Sequence, residues 1–104
     1  MEITILIDGE EKTFKTGLVP MLARRKFMEI QAEEEEILEQ DGSIPAKKQI
    51  EFENRIASII TDVVFDSQFT VDQLLNGVTD EYFSEKLAEA LFGKPNEENV
   101  SGDD

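Results

Sequence analysis

The stretch from Ile56 to Gly77, IASIITDVVFDSQFTVDQLLNG, is the longest apolar-rich part of the chain and constrains its fold more than any other feature. Apolar residues in and just before its first half recur at the three-and-four spacing of one helix face. They are Phe52, Ile56, Ile59, Ile60, Val63 and Val64. We predict a core helix from near Pro45 to about Asp66, although composition alone also allows a buried strand over residues 59–65.

This helix depends on packing against the rest of the protein. Its β-branched residues each cost roughly 0.5 kcal/mol of helix propensity relative to alanine. Burial of one large aliphatic side chain contributes about 1.5–3 kcal/mol, which outweighs that cost.

The second half of the stretch carries the signals of a chain reversal followed by a short helix. Thr70 is a helix-capping residue, and Gln73 stands three positions later as its return partner. Phe69 is placed to pack against Leu74 as a hydrophobic staple. We expect the helix to stop at Asn76-Gly77, with the glycine in the left-handed conformation.

The N-terminus predicts a β-hairpin. Ile3, Ile5 and Ile7 alternate along one strand, Asp8-Gly9 supplies a turn, and Glu10 to Lys15 forms the second strand. Because an isolated hairpin is marginally stable, we expect its isoleucine face to lie against the helices.

A charged helix is predicted from about Val19 to about Gln40, with Pro20 in its first turn. Its Arg24-Arg25-Lys26 cluster faces Glu29 and the Glu33–Glu36 run at spacings that allow ion pairs one turn apart. The candidate inward residues are Leu22, Ala23, Phe27, Ile30, Ile37 and Leu38.

A last helix is expected after Thr79, which can cap it, and before Gly93 and Pro95, which end it. Its inward residues are Phe83, Leu87, Ala90 and Leu91. Residues 94–104, KPNEENVSGDD, have one apolar residue in eleven and are predicted to be a disordered acidic tail. The fold class is mainly α with a short N-terminal β-hairpin (α+β), a small bundle of about four helices in a single domain, residues 1–93.

Composition excludes several classes of function. Ten basic and twenty-four acidic residues give a net charge of -14, which argues against binding nucleic acid or an anionic membrane. Cysteine and histidine are absent, and no glycine-rich phosphate loop is present. We therefore expect no enzyme, catalytic residue, cofactor or metal. No signal peptide or run of ~20 apolar residues is found, so we expect a cytoplasmic protein.

Each charged cluster also has a simpler interpretation than a ligand site. Consecutive residues of Glu33–Glu36 point in different directions on a helix and cannot converge on one cation. An EF-hand loop over Asp72–Phe83 fails because Leu74 and Phe83 stand where oxygen ligands are required. A phosphate patch at Arg24–Lys26 is less consistent with the neighbouring glutamates than a salt-bridged helix surface.

The aromatic residues concentrate around the turn and the last helix. They are Phe65, Phe69, Tyr82, Phe83 and Phe92. Core filling explains such residues in most proteins. The alternative is that some of them form an exposed apolar groove for a partner.

The segment Val64–Asp72, VFDSQFTVD, with Leu74 and Gly77 after it, resembles tail assembly chaperones of long-tailed phages (siphoviruses) and prophages of Gram-positive bacteria. The N-terminal half is similar to the same family in its ITILIDG strand and turn, its KTF segment, its Val-Pro helix start with a basic cluster, and its EIQ. The resemblance covers roughly residues 1–93. The acidic segment 33–48 and the residues after Gly93 depart from the family pattern.

The resemblance implies a non-structural assembly factor of the host cytoplasm that is absent from the mature virion. Such a protein binds the tape measure protein, keeps its apolar helices soluble and helps recruit tail tube subunits. Family members are often made in a short form and a frameshift-extended form that share this domain. Self-association is left open.

A helical partner needs exposed apolar surface, and strong charge keeps the complex soluble. We place the partner-binding surface on helix faces that carry Phe27, Leu87, Leu91 and Phe92. Charges at Leu87 and Leu91 would then block binding to the tape measure protein without unfolding the domain.

The alternative from another class is an acidic protein that mimics DNA and inhibits a basic nucleic-acid-binding partner. The net charge of -14 motivates this hypothesis. Mimicry requires carboxylates spaced like phosphates along a surface, which composition does not establish. A salt-sensitive complex with a DNA-binding protein would favour it, and a salt-tolerant complex with a helical protein would favour the chaperone.

Overall fold

Four α-helices and a two-stranded antiparallel sheet form the part of the chain that the computed structural model describes, residues 1–93. The predicted disordered tail, residues 94–104, lies outside the described residues. The elements are β1 (Glu2–Ile7), β2 (Glu10–Lys15), α1 (Met21–Asp41), α2 (Ala46–Ser58), a π-helix (Ile59–Val64), α3 (Val71–Gly77) and α4 (Asp80–Phe92). The predicted α+β class is confirmed.

The hairpin forms as predicted. Ile7 pairs with Glu10 across a two-residue turn in which Asp8 and Gly9 have φ values of 53° and 81°. Positive φ at both turn residues matches the right-handed twist of the flanking strands. Ile3 and Ile5 are buried against the helices. Tyr82 of α4 caps the edge of β1 that does not pair with β2, because its Oη accepts a hydrogen bond from the Thr4 N–H at 2.9 Å.

The long helix α1 begins after Pro20, which precedes the first turn rather than lying in it, and ends at Gly42 with φ 80°. Its core side is a narrow stripe: Ala23 and Ile30 are buried, while Phe27 and Ile37 pack partly against the core. The predicted inward positions of Leu22 and Leu38 are wrong, because both side chains are about half exposed. Each is one residue, or about 100° around the helix, from a stripe residue.

The central stretch is helical, but its second half is not an α-helix. The α-helix α2 ends at Ser58, and the chain continues as a π-helix over Ile59–Val64. This segment is a β-branched run, IITDVV, whose side chains crowd the neighbouring turns of a regular α-helix. In the wider turn the Phe65 N–H donates to Ile60 O, five residues back, at 3.0 Å. The buried Thr61 hydroxyl is satisfied by the carbonyl of Ala57 at 3.2 Å.

The chain reverses directly after the π-helix. Asp66 and Ser67 take positive φ values of 56° and 62°, and the Ser67 N–H donates to Thr61 O at 2.7 Å. The predicted capping box is confirmed: Thr70 Oγ1 accepts from Gln73 N, and Gln73 Oε1 accepts from Thr70 N, each at 3.0 Å. The reversal is therefore fixed by local hydrogen bonds on both sides.

Gly77 does not end α3 in the left-handed conformation that its position predicted. The positive-φ glycines are Gly9, Gly42 and Gly93, and the residue after α3 is an extended Val78. A Cβ atom at Gly77 would lie 2.5 Å from both Ile5 Cγ2 and Leu6 O. Glycine is required here for space, because α3 packs directly on the backbone of β1.

The last helix follows its prediction. The Thr79 hydroxyl accepts from Tyr82 N at 3.1 Å, and α4 ends at Gly93 with φ 86°. Ala90 and Leu91 are buried, while Phe83 and Leu87 pack partly against the core. Pro95, the other predicted stop signal, is outside the described residues.

Candidate partner-binding surface

The side of α1 that faces away from the core carries two exposed methionines among charged residues. Met21 and Met28 are 83% and 55% exposed, and each precedes a buried residue, Ala23 or Ile30, by two positions. Two positions correspond to about 200° around an α-helix. Arg25 and Ala32 continue this line, with Arg24 and Glu29 at its sides. We call Met21, Arg24, Arg25, Met28 and Ala32 the α1 outer surface.

Apolar exposure continues beyond this helix. Leu18 is almost fully exposed just before α1, and Phe92 is 68% exposed at the end of α4. The guanidinium carbon of Arg24 lies 5.8 Å from the centroid of the Phe92 ring, which brings the two helices together at this point. Methionine side chains are flexible and polarisable, and they recur on surfaces that adapt to varied partners. Clustered exposed apolar residues of this kind mark interaction sites.

The four residues proposed from the sequence do not form one open surface. Phe92 is exposed and lies beside the α1 outer surface, whereas Phe27 and Leu87 are half-buried against the core. Leu91 is only 7% exposed. A charge at Leu91 would be buried at a cost of several kcal/mol, so the expectation that charging Leu87 and Leu91 would leave the domain folded is corrected.

Met21 and Met28 are not among the binding residues predicted from the sequence. Apolar residues lie on several sides of α1, including Leu22, Phe27 and Leu38, so they do not mark one exposed face. A signal was present in the spacing: Met21, Arg25, Met28 and Ala32 form a second stripe opposite Ala23 and Ile30.

The predicted ion pairs within α1 are wrong. Among residues 1–93 the ion pairs are Arg55–Glu33, Lys48–Glu51 and Lys86–Glu89, so none joins Arg24, Arg25 or Lys26 to a glutamate of α1. A basic residue N-terminal to an acidic one at this spacing is the weaker orientation, which explains the outcome. Arg24 and Arg25, two members of the α1 outer surface, therefore form no ion pair among residues 1–93.

Glu33 instead joins α1 to α2. Its two carboxylate oxygens accept from Nη1 and Nη2 of Arg55 at 2.8 and 2.7 Å, a bidentate pair. The hydrogen bond from Arg55 lowers the pKa of Glu33, and the same bond raises the pKa of Arg55. Among the described residues, Glu33 is the only member of the Glu33–Glu36 run that forms an ion pair. Its role is therefore structural.

We expect Glu33→Gln to destabilise the protein at neutral pH but not in acid. Because the pKa of Glu33 is lower when folded, its stabilisation is complete above the ordinary value of 4.5 and is lost as pH falls through the lowered value. Urea unfolding of both proteins between pH 7 and pH 3 measures the difference. Glu35→Gln, which removes an exposed carboxylate outside these ion pairs, should not lower stability at pH 7. Equal stability of Glu33→Gln and wild type at pH 7 would contradict the expectation.

Within residues 1–93, no group of three or more Asp, Glu, His or Cys side chains is arranged to hold a metal ion. No described helix is long and apolar enough to cross a bilayer. The feature of this part of the chain that most resembles a functional site is the exposed apolar area formed by the α1 outer surface, Leu18 and Phe92.

The family profile described as "Phage tail chaperone protein" matches residues 1–101. The chain belongs to this family. No curated protein and no solved structure gives a significant match. The family match includes the acidic segment 33–48 and continues past Gly93. These are the two regions in which the sequence departs from the expected family pattern. A role as a phage tail chaperone follows from this membership.

Proposed function

We propose that this phage tail chaperone is a non-catalytic assembly factor that binds the tape measure protein of its phage or prophage. It keeps that protein soluble in the host cytoplasm, helps recruit tail tube subunits, and is absent from the mature virion. Family membership over residues 1–101 supports the role in tail assembly. The observation that carries the choice of partner is the exposed apolar area of α1 and α4.

A chaperone for long apolar helices must offer apolar surface while remaining soluble. Met21, Met28 and Phe92 offer such surface. The net charge of -14 opposes aggregation of the chaperone and of its complex. The same charge disfavours binding to phosphate backbones, in agreement with a protein partner rather than nucleic acid.

The four residues first proposed for binding take different parts in this hypothesis. Phe92 contacts the partner directly, because its ring is exposed. Phe27, Leu87 and Leu91 support the surface from beneath by holding α1 and α4 on the core.

A pull-down tests this function. The full chain serves as bait in cells that express the neighbouring reading frames, with washes at low and at high salt. We expect the tape measure protein to remain bound at high salt, because burial of apolar surface is not screened by ions. Recovery of only a basic DNA-binding protein, lost at high salt, would overturn the proposal and favour the acidic mimic. Bait with Glu11→Gln, which changes an exposed carboxylate of β2 away from the apolar area, is the matched control and should retain the same partner.

A further inference from the structure

The α1 outer surface has opposite charges at its two ends. Arg24 and Arg25 lie beside Met21 in the first turns, and the exposed Glu35 and Glu36 follow Ala32 at helical spacing. Between the two ends lie the apolar Met28 and Ala32, with Glu29 at one side. A partner that covers it therefore meets cations at one end and anions at the other.

The stability of α1 does not explain this arrangement. Helices are stabilised by acidic residues in the first turn and basic residues in the last turn, and α1 has neither. Within the described chain, Arg24 and Arg25 form no ion pair with α1 glutamates, whereas Lys48, Arg55 and Lys86 are all paired. The charge order opposes the helix dipole, and no ion pair within α1 compensates for it among residues 1–93; Arg24 instead lies over the Phe92 ring.

We propose that the α1 outer surface, with Leu18 and Phe92, docks one amphipathic helix that carries acidic residues at one end of its apolar stripe and basic residues at the other. This inference rests on the proposed function, and the occupant is a segment of the tape measure protein. Charge complementarity with both ends of α1 selects the segment. The twenty-one residues of α1 span about 30 Å, enough for several turns of a partner helix.

The charges also fix the direction of the bound helix. Most helices have acidic residues near their N-terminus and basic residues near their C-terminus, in agreement with their own dipole. Such a helix satisfies Arg24 and Arg25 with its N-terminal half and the Glu35–Glu36 pair with its C-terminal half. The bound helix therefore runs parallel to α1, with its apolar residues at i, i+3, i+4 and i+7 on Met21 and Met28.

The test measures binding of the full chain to overlapping synthetic peptides of the tape measure protein, each about as long as α1, by fluorescence anisotropy. The variant Met21→Ser/Met28→Ser is expected to weaken binding of the selected peptide by about ten-fold or more, the effect of removing central apolar anchors. The matched control is Leu6→Ser/Ile50→Ser, which removes two similarly exposed apolar side chains from β1 and α2. It should bind like wild type, and thermal unfolding confirms that both variants are folded.

A charge exchange tests the direction. Arg25→Glu should weaken binding, and a peptide whose acidic residues in its N-terminal half are replaced by lysine should restore it. The same replacement in the C-terminal half should not. Lys47→Glu, which changes an exposed cation of α2, is the matched control and should leave affinity unchanged.

Different failures point to different hypotheses. If the wild type retains no tape measure protein in the pull-down, the proposed function is overturned, and this inference with it. If the full-length protein is retained but no peptide binds, or if Met21→Ser/Met28→Ser binds like wild type, only this inference is overturned. A wild-type dimer in sedimentation that this variant loses would overturn it also, because the surface would then join two copies of the chain.

Discussion

Replacing Gly77 by alanine is expected to lower the free energy of unfolding by about 3 kcal/mol, the upper part of the range for overpacking. The added Cβ would lie 2.5 Å from Leu6 O and from Ile5 Cγ2. The β-branched Ile5 side chain is fully buried and has little freedom to rotate. The Leu6 carbonyl belongs to the paired strand β1 and cannot move alone. The helix α3 would have to shift away from the hairpin, with loss of packing around the buried Leu74.

Gly17→Ala is the matched control for this substitution. Gly17 does not have positive φ, and nothing lies within 4 Å of a Cβ built there. Its replacement should change stability by no more than about 0.5 kcal/mol. Urea unfolding followed by far-UV circular dichroism measures both variants. Gly77→Ala with the stability of Gly17→Ala would mean that α3 does not pack on β1 as described.

Gly77 also shows where the sequence can mislead. A glycine at a helix end has two physical explanations, a left-handed cap and a close approach of two backbones. The residues beside Gly77 favour the first explanation. The second depends on Leu6, which is distant in the chain, so local sequence cannot distinguish the two.

The elements predicted correctly depend on residues close together in the chain. The hairpin turn requires only Asp8-Gly9 and alternating neighbours. The caps at Thr70 and Thr79 require a hydroxyl and an N–H three residues later. Such signals are complete within four or five positions, so the order of the elements could be inferred before the structure.

The features that were missed depend on how elements are arranged in space. Glu33 pairs with Arg55, twenty-two residues away, rather than with the basic cluster on its own helix. The half-exposed positions of Leu22 and Leu38 follow from the narrow width of the α1 contact. The predicted helix does continue over Ile59–Val64, but as a π-helix, in which an N–H bonds to the carbonyl five residues back instead of four.

The candidate site was predicted least well, for a related reason. An exposed apolar residue and a core residue have the same chemistry, and only their position relative to neighbouring helices separates them. Phe92 and Leu91 are adjacent in sequence, yet one is exposed and the other is buried. Choosing between them required knowledge of which side of α4 rests on the core.

Phe65→Ala is expected to lower the free energy of unfolding by about 3–5 kcal/mol, the range for removal of a buried phenylalanine. Phe65 is fully buried at the end of the π-helix. Its ring centroid lies 5.4 Å from that of Phe69, which lies 4.9 Å from that of Phe14 on β2. The three rings connect the chain reversal to the hairpin. Because small domains are stable by only about 5–15 kcal/mol, this loss removes a large share of the total stability.

Phe92→Ala is the opposite case and the matched control. Its ring is mostly exposed and contacts Arg24, so its loss should change stability by about 0.5 kcal/mol or less. Retention of the tape measure protein should nevertheless fall, because Phe92 lies in the exposed apolar area. Thermal unfolding and the pull-down, applied to both variants, separate the two roles. If Phe92→Ala lowered stability as much as Phe65→Ala, the Phe92 ring would belong to the core. Phe92 would then have to be removed from the proposed binding surface.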